Sequence, residues 1–339
     1  MSMKIVWQVP VLEKVFLKSL QTKRFSVASY HLFTRLSLQI LLGVALYYAI
    51  LNLEVVLAAF LALIFGMTLS FMSWAGAGHE YFHSTAFRSA RANRLLFRIM
   101  SCATWNNWGW FETSHWLHHK FTLHEKDPEG PPQTSLSILN LLWLILFDLP
   151  TFLRRIRILV QNSFGYFPIK DIQIKDIVLS RNSVKQRIRI GAISVLLFQA
   201  AVFVLLSQFS ITLALIVAVS PFLLSLPNRI LEISQHLGLD LHSDDFRKNS
   251  RTVRMGYFLE FLYSNMNYHM EHHMFPGIPY YNLPQLHQKL RQDGFVPQAD
   301  KGLLSATKIA FSSSRFSEVK GRQCLNCTVS RPRKPVAFK

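Results

Sequence analysis

Two long apolar stretches dominate the chain. From Leu36 to Gly78 the only charged residue is Glu54, and from Ile190 to Asn228 there is none. A helical crossing of a bilayer takes roughly 20 residues, so each stretch has room for two crossings and a tight turn. Polar interruptions place those turns at Asn52 to Glu54 and at Ser207-Gln208-Phe209-Ser210. The pattern predicts two helical hairpins, with transmembrane segments at about 36–53, 55–77, 190–206 and 211–228. Residues 79–134, between the hairpins, are polar and aromatic, and Trp105, Trp108 and Trp110 occur at a density that suits a membrane interface. Asp127-Pro128-Glu129-Gly130-Pro131-Pro132 reads as the turn that ends this segment. The next apolar run, Leu136 to Phe147, is short and is interrupted by Asp148, Pro150, Arg154, Arg155 and Arg157, so it reads as interfacial or re-entrant.

The ends of the chain have a different character. Before Leu36, Lys14, Lys18, Lys23, Arg24 and Arg35 are interleaved with Val11, Leu12, Val15, Phe16, Leu17 and Leu20. That periodicity suggests a basic amphipathic segment on the membrane surface; a solvated leader is the other reading. Residues 312–339 read as a basic, disordered tail, which leaves 36–311 as the membrane domain and 1–35 as the N-terminal segment. Cys324 and Cys327 fall in the tail without a second pair, so they give neither a zinc site nor a disulfide framework.

Charge fixes the expected orientation. The 339 residues are half apolar yet carry a formal net charge of +18. A soluble nucleic-acid binder would spread such charge over a mostly polar chain, whereas here Lys and Arg gather at 14–35, 88–98, 154–189 and 247–254, beside the apolar runs. The two short turns have neither. By the positive-inside rule both termini and every segment outside the hairpin turns face the cytoplasm.

Histidine supplies the candidate chemistry. His79 and His83 follow the first hairpin, His115, His118 and His119 lie before the second, and His269, His272 and His273 lie after it. On a helix, positions i, i+3 and i+4 share a face, so each box aims its imidazoles into one space. His236 follows the fourth apolar segment, with Glu232 one turn earlier as a possible direct or water-mediated contact. All nine histidines fall on the same predicted side. Since tetrahedral sites take four ligands and octahedral ones six, nine converging imidazoles call for two metal ions. Glu80, Asp127, Glu271 and Asp240 are placed to accept the second ring N–H of such ligands, while His124 and His242 suit surface or supporting roles and His31 and His287 structural ones.

The boxes His79-x-x-x-His83, His115-x-x-His118-His119 and His269-x-x-His272-His273 resemble those of the membrane fatty acid desaturase superfamily. Lys120-Phe121-Thr122 through Asp127-Pro128-Glu129, and Phe275-Pro276-Gly277-Ile278-Pro279 through Leu283-Pro284-Gln285-Leu286-His287, are similar to that family's continuations of the second and third boxes. The resemblance spans roughly residues 36–295. It implies an all-α fold of four transmembrane helices under a cytosolic cap, with two irons held by the nine histidines. It also implies an O2-dependent oxidoreductase in a bacterial inner membrane or endoplasmic reticulum, acting on a long-chain acyl or lipid substrate with electrons from a separate ferredoxin or cytochrome b5. Desaturation is the first reading and hydroxylation or carotenoid ketolation the alternative on the same scaffold. A zinc hydrolase fits less well, because it needs only about three protein ligands. A metal transporter would carry polar groups within its spans, and these are almost uncharged.

Overall fold

A computed structural model describes residues 5–130, 138–169, 172–296, 299–302 and 304–310. The basic tail with Cys324 and Cys327 lies outside these residues, as does the start of the Leu136 to Phe147 run. Among the described residues the chain is helical, with one pair of two-residue parallel strands, β1 (Val253–Arg254) and β2 (Asp300–Lys301).

The first part comprises α1 (Lys14–Leu20), α2 (Phe25–Leu51), α3 (Val55–Ser70), α4 (Ala77–Phe82), α5 (Ala90–Ala103) and α6 (Trp108–Phe121). Next come α7 (Ile138–Ile145), α8 (Leu149–Ser163), α9 (Ile172–Val178), α10 (Asn182–Ser207) and α11 (Ile211–Val219). The remainder is α12 (Leu226–Ser234), α13 (Phe246–Asn249), α14 (Tyr257–Leu262), α15 (His269–Met274) and α16 (Leu283–Gln292). Helices α2 and α3 pair as one hairpin, reversed at Leu53, whose φ is 57°. Helices α10 and α11 pair as the other, reversed at Ser210, whose hydroxyl caps α11 by accepting from the Leu213 N–H. Leu46, Ala62 and Leu213 join the two hairpins.

The helix lengths depart from the apolar pattern. Among the described residues two stretches are long and apolar enough to cross a membrane, Lys14–Leu51 and α10. Helix α2 starts at Phe25 and is 27 residues long, about 40 Å. Helix α3 has only 16 residues, about 24 Å, and stops at Ser70 instead of continuing to 77. The run expected over 211–228 ends its α-helix at Val219, and Pro221 and Pro227 divide the remainder into a 3-10 turn and the start of α12. Proline's missing N–H and fixed φ account for both breaks. The N-terminal segment also packs on the cap: Trp7 stacks on Phe246 at 4.3 Å between ring centroids, and Asn282 donates to the Leu20 carbonyl at 2.6 Å.

Helix α6 is locked to α10 at bare backbone. A Cβ on Gly109 would collide with the Arg187 carbonyl, and one on Gly191 with the Asn107 side chain, which itself donates to the Ile188 carbonyl at 3.0 Å. Close by, Gln199 on α10 donates to the Cys102 carbonyl of α5 and Trp105, between α5 and α6, donates to the Ala218 carbonyl of α11, each at 2.7 Å. Since backbone cannot move aside, Gly109→Ala and Gly191→Ala should each cost about 1–3 kcal/mol, whereas Gly256→Ala, where a Cβ meets nothing, should change stability by less than about 0.5 kcal/mol. Thermal unfolding of the detergent-solubilised protein checks the ranking.

Candidate metal centre

Each histidine box is held by a separate local device. The second box occupies the last turns of α6, whose start is fixed by Asn107, its side chain accepting from the Gly109 and Trp110 N–H groups at 3.1 and 3.3 Å. His79 lies on α4 and His83 caps it, His269, His272 and His273 lie on α15, and His236 sits in the turn after α12. All nine rings are buried or nearly so.

They form two groups. His79, His83, His115, His119 and His272 make one, and His118, His236, His269 and His273 make the other; within each, one ring nitrogen per residue lies within 4.8 Å of the rest. Membership follows helix geometry. In α6, His115 and His119, four apart, enter the first group and His118 crosses to the second. In α15, His269 and His273, again four apart, enter the second and His272 crosses to the first. At about 100° per residue, the i+4 side chain lies about 40° from the first and the i+3 side chain about 60° on its other side, so a three-histidine box divides two to one.

The Nδ1 atoms of His79, His115, His118 and His236 have an acceptor within reach, whereas those of His119, His269 and His272 have none among the described residues. His115 Nδ1 contacts Glu129 at 2.8 Å, His118 Nδ1 contacts Asp127 at 2.9 Å, and His236 Nδ1 donates to the Asn249 carbonyl at 2.7 Å. His79 Nδ1 lies 3.4 Å from Glu80. A neutral imidazole that donates from Nδ1 leaves a lone pair on Nε2. Those Nε2 atoms crowd one another: His115 and His119 at 3.1 Å, His119 and His272 at 3.2 Å, His236 and His269 at 2.8 Å, His269 and His273 at 3.0 Å. His115 and His236, committed at Nδ1, present lone pairs here. Because His119 and His269 each face two neighbours, no set of neutral tautomers satisfies every contact, whereas a cation between the rings would. An octahedral ion with metal–nitrogen bonds of about 2.1 Å would hold adjacent nitrogens about 3.0 Å apart, so the spacing and the donor set both fit metal binding.

The electrostatics point the same way. Burial first, and then neighbouring imidazoles, hold His79, His83, His115, His119, His269, His272 and His273 well below the ordinary histidine range, and His236 is lowered to about 3. Burial also opposes charge on His118, but the Asp127 carboxylate outweighs it and raises that ring. Burial pushes Glu80 up to about 8 against the Thr85 hydrogen bond. Neutral imidazole is the form that ligates.

Comparison with known families matches residues 54–301, most of the chain, to the fatty acid desaturase family model. The chain belongs to the fatty acid desaturase family. Comparison with curated proteins finds no match. Membership makes the chain an oxidoreductase of a membrane-associated family, and its histidine groups are suited to hold metal.

Other expected residues fall differently around the histidine groups. Glu232 stays outside both groups: Arg229, three residues earlier on α12, holds its carboxylate at 2.9 Å, on the wall of the cavity the histidines border. Of the expected acids, Asp127 and Glu80 reach the rings, while Glu271 accepts instead from His287 at 2.6 Å and Asp240 joins neither group. His31 meets the Tyr280 hydroxyl at 3.0 Å, and His124 and His242 pair with each other, ring centroids 5.6 Å apart, outside the centre. Glu129 was not anticipated, although it stands two residues beyond Asp127 in the same turn. The Asn249 carbonyl has no side-chain signature.

Two measurements follow from this geometry. Asp127→Asn keeps the shape but removes the carboxylate behind His118, and metal affinity should fall about 10–100-fold in equilibrium dialysis. In the unfolded chain these histidines titrate near 6.5, so as pH falls below that value the unfolded state binds protons that the buried neutral rings refuse. Metal-free protein should therefore lose stability progressively from about pH 7 downward, each depressed histidine contributing up to about 1.4 kcal/mol per pH unit. A thermal midpoint that stays level from pH 8 to pH 5 would contradict the assignment of neutral, buried rings.

Proposed function

We propose that this chain is a multi-pass membrane desaturase that uses two irons and O2 to introduce a C=C bond into a long-chain acyl or other lipid substrate, with electrons from a separate carrier of ferredoxin or cytochrome b5 type. The observation that carries this reading is that both histidine groups open on one cavity of about 450 Å3. His79 and His115 represent the first group on its wall and His118, His236 and His269 the second, among Trp74, Trp110, Phe111, Ile233 and Met266. The same wall carries Glu129, Arg154, Arg155, Arg229 and Glu232, so an acyl chain would lie along its aromatic and aliphatic part.

The membrane placement is supported by outward-facing apolar residues on both hairpins. Ile40, Leu41, Val44, Phe60 and Val56 are exposed on α2 and α3, as are Leu197, Val204, Leu205 and Leu215 on α10 and α11. In water such a surface costs about 25 cal/mol per Å2, and lipid removes that cost. In this reading α3 and α11 are the shorter second arms of four crossings. Their ends bring α4 and α12, with His79 and the approach to His236, to the level of the polar headgroups, on the cytoplasmic side where the basic flanks gather.

Iron bound by the nine imidazoles would supply the activation of O2. The balance is that a –CH2–CH2– unit gives two protons and two electrons, the carrier gives two more electrons, two further protons are taken up and O2 leaves as two waters. The chain's own residues contribute position and field. Asp127, Glu129 and the Asn249 carbonyl fix three imidazoles by their Nδ1 atoms. Those acids add negative charge behind otherwise neutral ligands, and Trp74 and Phe111, stacked at 4.4 Å, narrow the approach to His79 and His115.

The test joins metal content to product. Protein purified with its metal should hold about two irons per chain, and lipids of cells expressing it should contain a species lighter by two hydrogens. Both should be lost or sharply reduced in correctly inserted His272→Ala. A product heavier by one oxygen would move the activity to hydroxylation, and a single zinc per chain would overturn the reading.

A further inference from the structure

On the far side of the five-histidine group is a second cleft, of about 400 Å3, between α4, α5, α6 and the first turns of α10. Its lining includes Arg94, Arg98, Arg187, Glu112, Trp116 and Ser84. Three guanidinium groups thus face one carboxylate. Glu112 lies 3.4 Å from Arg187 and 3.9 Å from Arg98, which divides its charge between them, and Arg94 is exposed and has no ion-pair partner among the described residues. Arg98 is held in place by the Trp108 ring, 4.2 Å from its guanidinium carbon. The cleft is preorganised for an anion with several oxygens, the geometry guanidinium groups bind by paired N–H donors.

Its surroundings identify the kind of anion. Beside Arg94 and Arg98 on α5 stand Leu95 and Ile99, 60% and 41% exposed, and across the cleft Trp116 is 63% exposed. Arg187 precedes Ile190, the start of the charge-free run, by three residues, a helical rise of about 4.5 Å. Apolar side chains, an exposed indole and arginines at that level make the profile of a headgroup zone, where leucine and isoleucine enter the acyl layer and arginine meets phosphate. A site for a soluble anion has no use for Leu95 and Ile99.

We propose that this cleft binds the phosphate headgroup of an anionic membrane lipid. The occupant clamps α5, α6 and α10 behind the first metal group: Trp116 follows His115 in sequence, its ring centroid is 6.4 Å from that of His83, and Ser84 follows His83. The site rests on the membrane placement argued above and is independent of iron chemistry.

Native mass spectrometry of the full chain from mixed micelles of phosphatidylglycerol and phosphatidylcholine reads it directly. The protein should retain one phosphatidylglycerol with a preference of about tenfold or more, the factor that two arginine contacts supply. Arg94→Gln with Arg187→Gln should bring the preference near unity, while Lys248→Gln with Arg291→Gln, which removes equal charge from exposed positions elsewhere, should leave it unchanged. Because Arg94 is exposed and unpaired, Arg94→Gln alone gives a version that does not threaten folding, and it should lower the preference by a few-fold. Equal retention of the two lipids by the unaltered protein would overturn the proposal, as would a preference that survives the double variant. Displacement of the lipid by inorganic phosphate alone would replace it with a free-anion site. Lipid retention unchanged by the double variant, with binding of a soluble cytochrome b5 domain lost, would replace it with a protein-docking face. Iron content is not part of the readout, so failure here leaves the oxidoreductase assignment intact, and an iron-free protein can still pass.

Discussion

Four pairs of Nε2 atoms stand 2.8–3.2 Å apart in the interior of this protein, and no proton arrangement among neutral rings satisfies them all. His236 makes the point most sharply. Its Nδ1 is committed to a carbonyl, which can only accept, so its Nε2 presents a lone pair to His269. Protonating one ring of each pair would relieve the contact, but burial makes that charge costly. Bound cations resolve the conflict at no proton cost. The polar interior is therefore suited to positive charge held at two points.

Seen from that constraint, the surrounding parts have separable tasks. Asp127 and Glu129 sit behind His118 and His115, where they fix ring orientation and return negative charge to a neutral ligand set. Glu271 does the same one step removed: fully buried beside His272 in sequence, it takes the His287 ring and Thr252 hydroxyl, anchoring α15 to α16 and to the strand region. The glycine contacts between α6 and α10 hold the second box at fixed height above an apolar helix. Because α6 and α15 each contribute to both groups, neither group can be assembled without the other. That exchange makes the pair of sites one structural unit.

Much of the centre was legible in the string because histidine spacing and helix geometry are both local. The boxes fall on α4, α6 and α15, and the division of each three-histidine box into a pair and a crossing member follows from the 3.6-residue turn, although the spacing alone does not say which helix feeds which group. Asp127 was readable for the same reason. What the string did not disclose is non-local or backbone-borne. The Asn249 carbonyl behind His236 leaves no mark in composition, and the pairing of Glu232 with Arg229, on the wall of the cavity the histidines border, rests on a spacing too common to be read from the string. Helix ends were obscured for a different reason. Apolar runs continue through Phe71 to Gly76 and through Pro221 to Ser225 after α3 and α11 have ended, because these residues are buried or half-buried and need no charge to mark the boundary.

Those premature helix ends connect the membrane to the chemistry. If α3 had continued straight to Gly78, His79 and His83 would extend along its axis away from α6. Instead the chain turns at Phe71 to Gly76, with the Ala77 N–H bonded back to the Phe71 carbonyl at 3.1 Å, and α4 carries both rings against those of α6. On the other hairpin, the breaks at Pro221 and Pro227 redirect the chain into α12 and leave His236 in the turn that follows it. A centre built from both hairpins must be reached by bending inward at the end of each apolar helix. The two arms that bend toward the histidines, α3 and α11, are the short ones, and the two that do not, α2 and α10, have the full length of a crossing. The uneven helix lengths are thus a consequence of turning the chain after each hairpin so that His79, His83 and His236 meet the six rings of α6 and α15.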